Sequence, residues 1–243
     1  MSSEISFTQE NLDFYLKELA KDYKKLAGKS MPAEIILIGG ASVLANYGFR
    51  DMTYDIDAII TASSAIKDAI NHVGDKYGLP NGWLNTDFSR TKSYTPKLIE
   101  FSVYYKTFSG ILTVRTVAAE YLIAMKLRSG RRYKNDLSDI VGVISEHHSK
   151  GKPLSYEQID KAVCDLYGSW DCISGELRAF TLSLLEQSAD PSLYARYRES
   201  ENQAKDILLE FERQYPNVAN EDNIDAILEK AKQKKQSKNE PER

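Results

Sequence analysis

Cysteine is scarce in this chain: Cys164 and Cys172 are the only two among 243 residues. Two thiols cannot supply a secreted disulfide framework or a four-ligand zinc site, so both are expected as small core residues. Long apolar runs are missing too, and nothing approaches the roughly 18 residues a membrane span needs. The opening MSSEISFTQE has neither the basic cluster nor the apolar run of a signal peptide, so a cytoplasmic location is expected. Neither sign of charge dominates: 32 Lys and Arg stand against 35 Asp and Glu, a formal net charge of -3. A nucleic-acid coat protein would be far more basic, although a local basic patch suffices to hold a phosphate or an RNA end. The chain also lacks a Walker A sequence, a Rossmann fingerprint and a Gly-x-Ser-x-Gly elbow.

What remains is an ordinary globular balance, 42% hydrophobic and 28% charged. Leu12, Tyr15, Leu16, Leu19, Tyr23 and Leu26 recur at helical spacing and predict a helix over 8–27, with Thr8 at its cap. EIILIGG, residues 34–40, reads as a buried strand running into a Gly-Gly turn. A short helix over 41–47, a second buried strand over 55–60 and a helix from Ser63 or Ser64 to Lys76 follow. Residues 78–96 read as a loop anchored by Trp83 and Leu84. LIEFSVYY, residues 98–105, alternates as a strand, with Ile99, Phe101 and Val103 on one face and Glu100 on the other. Ser109-Gly110 turns it into a returning strand over 111–117.

From Ala118 onward the pattern is helical, over 118–130, 135–148, 155–167, 173–188 and 193–214. The segment from 220 starts amphipathic and ends in a lysine-rich run expected to be a solvated tail. The expected fold is α+β: a small mixed sheet flanked by helices, followed by a helical domain. The corresponding division is 1–117, 118–219 and 220–243.

The informative stretch is Ile38-Gly39-Gly40-Ala41-Ser42 followed, after a short helix, by Arg50, Thr53 and Asp55-Ile56-Asp57. In an extended segment Asp55 and Asp57 fall on one face, roughly 7 Å apart at Cα. Two carboxylates so placed repel unless a cation lies between them, and Mg²⁺ takes one or two carboxylates together with substrate phosphates. A Gly-Gly turn after a strand leaves backbone N–H groups open to phosphate oxygens. Asp-x-Asp alone is commonplace on solvated edges; the order strand, Gly-Gly, helix, Asp-x-Asp is what points to a site. Lys126, Arg128, Arg131, Arg132 and Lys134 put five cations within nine residues, a candidate basic patch, with Asp136 and Asp139 on one face of the next helix. A salt-bridged surface is the alternative for that second block.

These two blocks, IGGASVLANYGFRDMTYDIDAII and EYLIAMKLRSGRRYKNDLSDIVGVI, resemble the DNA polymerase β-like nucleotidyltransferase superfamily. Within it the chain looks most like the AbiEii-type nucleotidyltransferases, the toxins of type IV toxin–antitoxin systems. The resemblance implies that Asp55 and Asp57 hold Mg²⁺, two ions being plausible, against an NTP. It implies that Gly39, Gly40 and Ser42 line the phosphate turn, with Arg50 and Thr53 beside them. Lys126 and Asp136 are implied to face the cleft, and Glu100 is the candidate third carboxylate. The implied reaction is nucleotidyl transfer to an acceptor hydroxyl, on a tRNA 3′ end or a protein, under a cognate antitoxin. The alternatives that stay open are a nucleotide-binding protein of this fold with little transfer activity, and a partner-regulated subunit.

Overall fold

The computed structural model describes residues 5–220 and 223–239. Helix α1 (Gln9–Ala27) starts in a reciprocal cap: the Thr8 hydroxyl accepts the Asn11 N–H, and the Asn11 side-chain oxygen accepts the Thr8 N–H. Five strands, β1 (Ala33–Leu37), β2 (Ile56–Thr61), β3 (Leu84–Asn85), β4 (Ser102–Phe108) and β5 (Leu112–Val117), form one mixed sheet in the order β3-β2-β1-β5-β4. Strand β1 lies antiparallel to β2 and parallel to β5. Its apolar run is continuous because both of its faces are buried. Ile35 and Leu37 enter the core beneath α1 and α3 (Ala65–Tyr77), and Ile36 and Ile38 enter the core on the opposite face. The β4–β5 hairpin turns at Ser109 and Gly110, both with positive φ, in a three-residue connection: Phe108 pairs with Leu112, and the Ile111 N–H donates to the Phe108 carbonyl oxygen.

That second core belongs to the helical half: α4 (Ala119–Ser129), α5 (Asp136–Ser149), α6 (Tyr156–Tyr167), α7 (Gly175–Glu186) and α8 (Ser192–Gln214). Every residue of α4 from Tyr121 to Leu127 is buried, so it runs through the middle of the layer, with α5 and α6 packed on it and α8 on α5. The fold is the mixed α+β arrangement that the sequence pattern predicts.

Several local expectations are corrected. Gly39 and Gly40 do not form a separate turn; they are the first turn of α2 (Gly39–Asn46). The 78–96 segment contains β3 and a 3-10 turn over Asp87–Arg90. The strand expected over 98–105 begins only at Ser102. Pro96, with Thr95 capping the Lys97 N–H, bends 96–99 into a 3-10 turn that buries Leu98 and leaves Ile99 and Glu100 exposed. Arg115 then pins the start of β4 through the Ser102 hydroxyl and carbonyl oxygens, at 2.7 and 2.6 Å. Cys164 is exposed because Ile159, Ala162, Val163 and Leu166 occupy the inward stripe of α6, and Cys172, on the 3-10 turn over Trp170–Cys172, is only half-buried. The last helix, α9 (Ile224–Asn239), continues into the lysine-rich run. Most of the side chains of that expected tail lie outside the described residues.

One close approach ties the fold to the site described below. Phe49 lies flat against Gly142 in α5, where any Cβ would fall inside the ring's van der Waals envelope. The ring also packs against Tyr47 and Tyr194, so it cannot swing aside freely. Gly142→Ala therefore gains helix propensity of about 1 kcal/mol yet should lose roughly 1–3 kcal/mol to overpacking. In urea titrations Gly142→Ala should lower the midpoint, and adding Phe49→Leu should recover part of the loss. Equal midpoints for Gly142→Ala and the parent would contradict this packing.

Candidate active site

The end of β1, the start of β2 and the α4–α5 connection open onto a cleft of about 670 Å³, with α8 as a further wall. Gly39, Gly40, Arg50, Thr53, Asp55, Asp57, Lys126 and Asp136 all line it. The register explains the floor: Leu37 opposes Ala58, and the Ile38 N–H donates to the Asp57 carbonyl oxygen at 2.8 Å. The first turn of α2 therefore lies next to the two carboxylates. Ile38 provides no side-chain cap for α2, so the N–H groups of Gly39 and Gly40 have no capping side chain. Gly39 has φ +53° and open space where a Cβ would be. Gly40 has the opposite constraint: a Cβ there would meet the Arg50 guanidinium at 2.8 Å and the Thr53 hydroxyl at 3.0 Å. Thr53 is held by a bridge to Phe7, N–H to carbonyl in both directions, and its hydroxyl reaches Asp55 Oδ1 at 3.5 Å.

Burial, and next the neighbouring Asp55, push the Asp57 carboxyl up to about 6. Lys134 and Arg131 act against that rise, and Asp87 adds to it. Asp87 also lines the cleft, two residues beyond the Asp57–Asn85 pairing of β2 with β3. Sequence reasoning missed it because a two-residue strand carries no periodicity. Glu100 is not part of this site: it is exposed on the turn before β4, and β4 is three strands from β2, on the order of 14 Å. Ser42 is fully buried below the cleft, where its hydroxyl accepts the Val117 N–H at 3.2 Å. It ties α2 to the end of β5.

The expected basic patch is dispersed. Arg128 donates to the Cys172 carbonyl oxygen, and Arg132 pairs with Glu176. Lys126 is only 8% exposed and bonds Asp136 at 2.9 Å and Asp139 at 2.6 Å. Arg131 joins Asp136 at 2.9 Å, and Arg50 reaches across to Asp139 at 2.5 Å. Burial alone would push the Lys126 ammonium down, but Asp139 and Asp136 outweigh it and hold it above the usual lysine range. Burial likewise opposes ionisation of Asp136, yet Lys126 and Arg131 hold its carboxyl well below the ordinary range. Lys134 lines the cleft and interacts with both Asp55 and Asp57; burial and Arg131 lower its pKa.

A second buried carboxylate locks the far wall. Glu201 of α8 is 2% exposed. Its Oε1 accepts the N–H groups of Leu137 and Ser138, at 2.8 and 3.3 Å, and its Oε2 accepts the Ser138 hydroxyl at 2.5 Å. It caps α5 from another helix, a role that no local sequence signal marks. One turn earlier on α8, Arg198 bonds the Asn135 side-chain oxygen.

Two outcomes are expected. Lys126→Ala removes one charge-assisted bond from each of two buried carboxylates, Asp136 keeping Arg131 and Asp139 keeping Arg50, and should cost about 1.5–3 kcal/mol of stability, seen as a fall in melting temperature. The second concerns Glu201, whose carboxyl burial pushes up to about 7 from an ordinary 4.5. The folded state then keeps a proton that the unfolded chain releases. This contribution is full below pH 4.5 and is lost as pH rises through 7, by on the order of 3 kcal/mol. Glu201→Gln should flatten the pH dependence of unfolding between pH 5 and 8; parallel curves for variant and parent would contradict it.

Comparison with known proteins adds one finding. A family model described as nucleotidyltransferase of unknown function (DUF6036) matches residues 15–147, from within α1 almost to the end of α5. No curated protein and no solved structure shows a match. The matched segment holds Gly39, Gly40, Asp55, Asp57 and the Lys126 ion cluster, and the family's description agrees with the chemistry of that cleft. Matched over more than half of its length, the chain belongs to this family of nucleotidyltransferases.

Proposed function

We propose that the cleft binds an NTP with Mg²⁺ and transfers its nucleotidyl group to an acceptor hydroxyl. The observation that carries this reading is the placement of Asp55 and Asp57 beside the uncapped, side-chain-free first turn of α2. Hard carboxylate oxygens fit Mg²⁺. Among the described residues no group of three His, Cys, Asp or Glu could hold a metal ion by itself. Asp55 and Asp57 would therefore hold Mg²⁺ jointly with substrate phosphate oxygens, the usual arrangement for this ion. When bound, it supplies charge neutralisation for the α-phosphate and the departing pyrophosphate.

The chain's own residues supply the rest. The N–H groups of Gly39 and Gly40 point the positive end of α2 at phosphate oxygens. Arg50, pinned by Asp139, holds its guanidinium against Gly40. Lys134 lines the same cleft and interacts with both carboxylates. Transfer joins the acceptor oxygen to the α-phosphorus as the bridging oxygen leaves with pyrophosphate and the hydroxyl proton passes to solvent, and catalysis rests on positioning and charge.

The finer reading follows the resemblance to AbiEii-type toxins: a cytoplasmic enzyme acting on a tRNA 3′ end or a protein, restrained by an antitoxin. The sequestered Ser42 hydroxyl and the distant Glu100 favour the second reading, an NTP-binding protein with little transfer activity. Incubation with each labelled NTP, Mg²⁺ and total tRNA separates them. Label on RNA or on protein names the acceptor; Mg²⁺-dependent NTP binding without label supports the second reading.

Asp55→Asn and Asp57→Asn should each reduce transfer about a hundredfold or more and leave the melting temperature close to the parent's. Unchanged Mg²⁺-dependent binding and transfer in both variants would refute the metal assignment. Lys134→Ala should weaken NTP binding about ten- to a hundredfold, as loss of a charge-assisted contact does, with little change in stability. Calorimetry on the two lysine variants distinguishes the roles, since Lys126→Ala acts first on the fold.

A further inference from the structure

The cleft has a second end that phosphate chemistry does not use. Tyr54, directly before Asp55 in the chain, is 49% exposed there. The other aromatic residues of the cleft are engaged: Phe88 packs edge-on to Tyr94 and against the helical core, and half-buried Tyr133 has partners of its own. Opposite Tyr54 runs α8. Arg198, Asn202 and Lys205 follow at four- and three-residue spacing, so they form one stripe, and all three line the cleft. The Lys205 ammonium lies 5.9 Å from the centroid of the Tyr54 ring. Among the described residues the Asn202 amide is exposed and has no hydrogen-bond partner. This wall is preorganised, since Glu201, next to Asn202, is buried against the N-terminus of α5.

We propose that Tyr54 and the Asn202–Lys205 stripe of α8 form the nucleobase subsite for the donor NTP, the base stacking on Tyr54 while Asn202 reads its edge. The proposal rests on the reading of the cleft as an NTP site. A base offers a π-face to an aromatic ring and a donor–acceptor edge to a side-chain amide, and Asn satisfies a purine edge with two hydrogen bonds. Tyr54 and Asp55 are chain neighbours that both line the cleft, the arrangement needed when only a ribose separates the base from the reacting phosphate. The subsite assigns a task to the helical half that lies beyond the matched family segment.

The test compares binding of the four NTPs with binding of inorganic tripolyphosphate, each with Mg²⁺, by calorimetry on the full chain. Tripolyphosphate probes the phosphate end alone. Tyr54→Ala should weaken NTP binding about five- to a hundredfold and leave tripolyphosphate binding unchanged, while Tyr54→Phe retains the parent's affinity. Asn202→Ala should compress the parent's preference among the four bases. If Tyr54→Ala binds NTPs as tightly as the parent, or loses tripolyphosphate equally, the subsite is overturned. Normal NTP binding by Tyr54→Ala with impaired use of an acceptor would place the acceptor there and also overturn it. A parent that binds tripolyphosphate as tightly as any NTP refutes the subsite alone. A parent that binds neither refutes the underlying reading of the cleft, and the subsite with it.

Discussion

The buried ion cluster of Arg50, Lys126 and Arg131 with Asp136 and Asp139 is the interaction on which the rest of the site depends. It joins three parts of the chain: the loop before β2, the end of α4 and the first turn of α5. Burying such groups costs more than their attraction returns unless every partner is present, so the cluster contributes little net stability but penalises any missing member. Its value lies in geometry. Asp139 grips Arg50, Arg50 rests on Gly40, and Gly40 has no side chain because the guanidinium occupies that space. Three cations against two carboxylates leave one unit of positive charge beside the first turn of α2, where a phosphate would approach.

The same cluster explains why five closely spaced cations do not make a patch. Lys126 and Arg128 point to different sides of α4 and Arg131 and Arg132 follow its end, so Lys126 and Arg131 converge on Asp136 while Arg128 and Arg132 find partners elsewhere. Of that group Lys134 acts on both Asp55 and Asp57, and Arg131 on Asp57 as well. A run of charge in a sequence fixes how much charge is present. Which of it reaches a ligand is decided by the acids on neighbouring elements, here Asp136, Asp139 and Glu176.

Elements whose signal is local were legible in the sequence. The Thr8 cap, the doubly buried β1, the Ser109-Gly110 hairpin and the paired carboxylates each follow from a few adjacent residues. The misreadings come from long-range effects. Glu100 looked like a strand residue because LIEFSVYY alternates, but Pro96 starts a turn and Arg115, on a different strand, sets where β4 begins. Ser42 fits a phosphate turn by position, yet its hydroxyl is claimed by Val117 of β5. Asp87 and Glu201 carried no signal, since one follows a two-residue strand and the other caps a helix 63 residues away.

Glu201 also shows why the helical half is more than an appended layer. A glutamate exposed on a lone α8 would be an ordinary solvated side chain. Docked on α5, it completes the N–H groups that α5 leaves unpaired, at the turn that carries Asp136 and Asp139. The residues α8 presents to the cleft are thereby placed relative to the carboxylates through two buried contacts instead of through a flexible connection. The acidic balance of the whole chain is no obstacle to a polyanionic ligand under these conditions. Long-range repulsion from a net charge of -3 is screened within a Debye length of about 8 Å, whereas the cations fixed around the cleft act at contact distance.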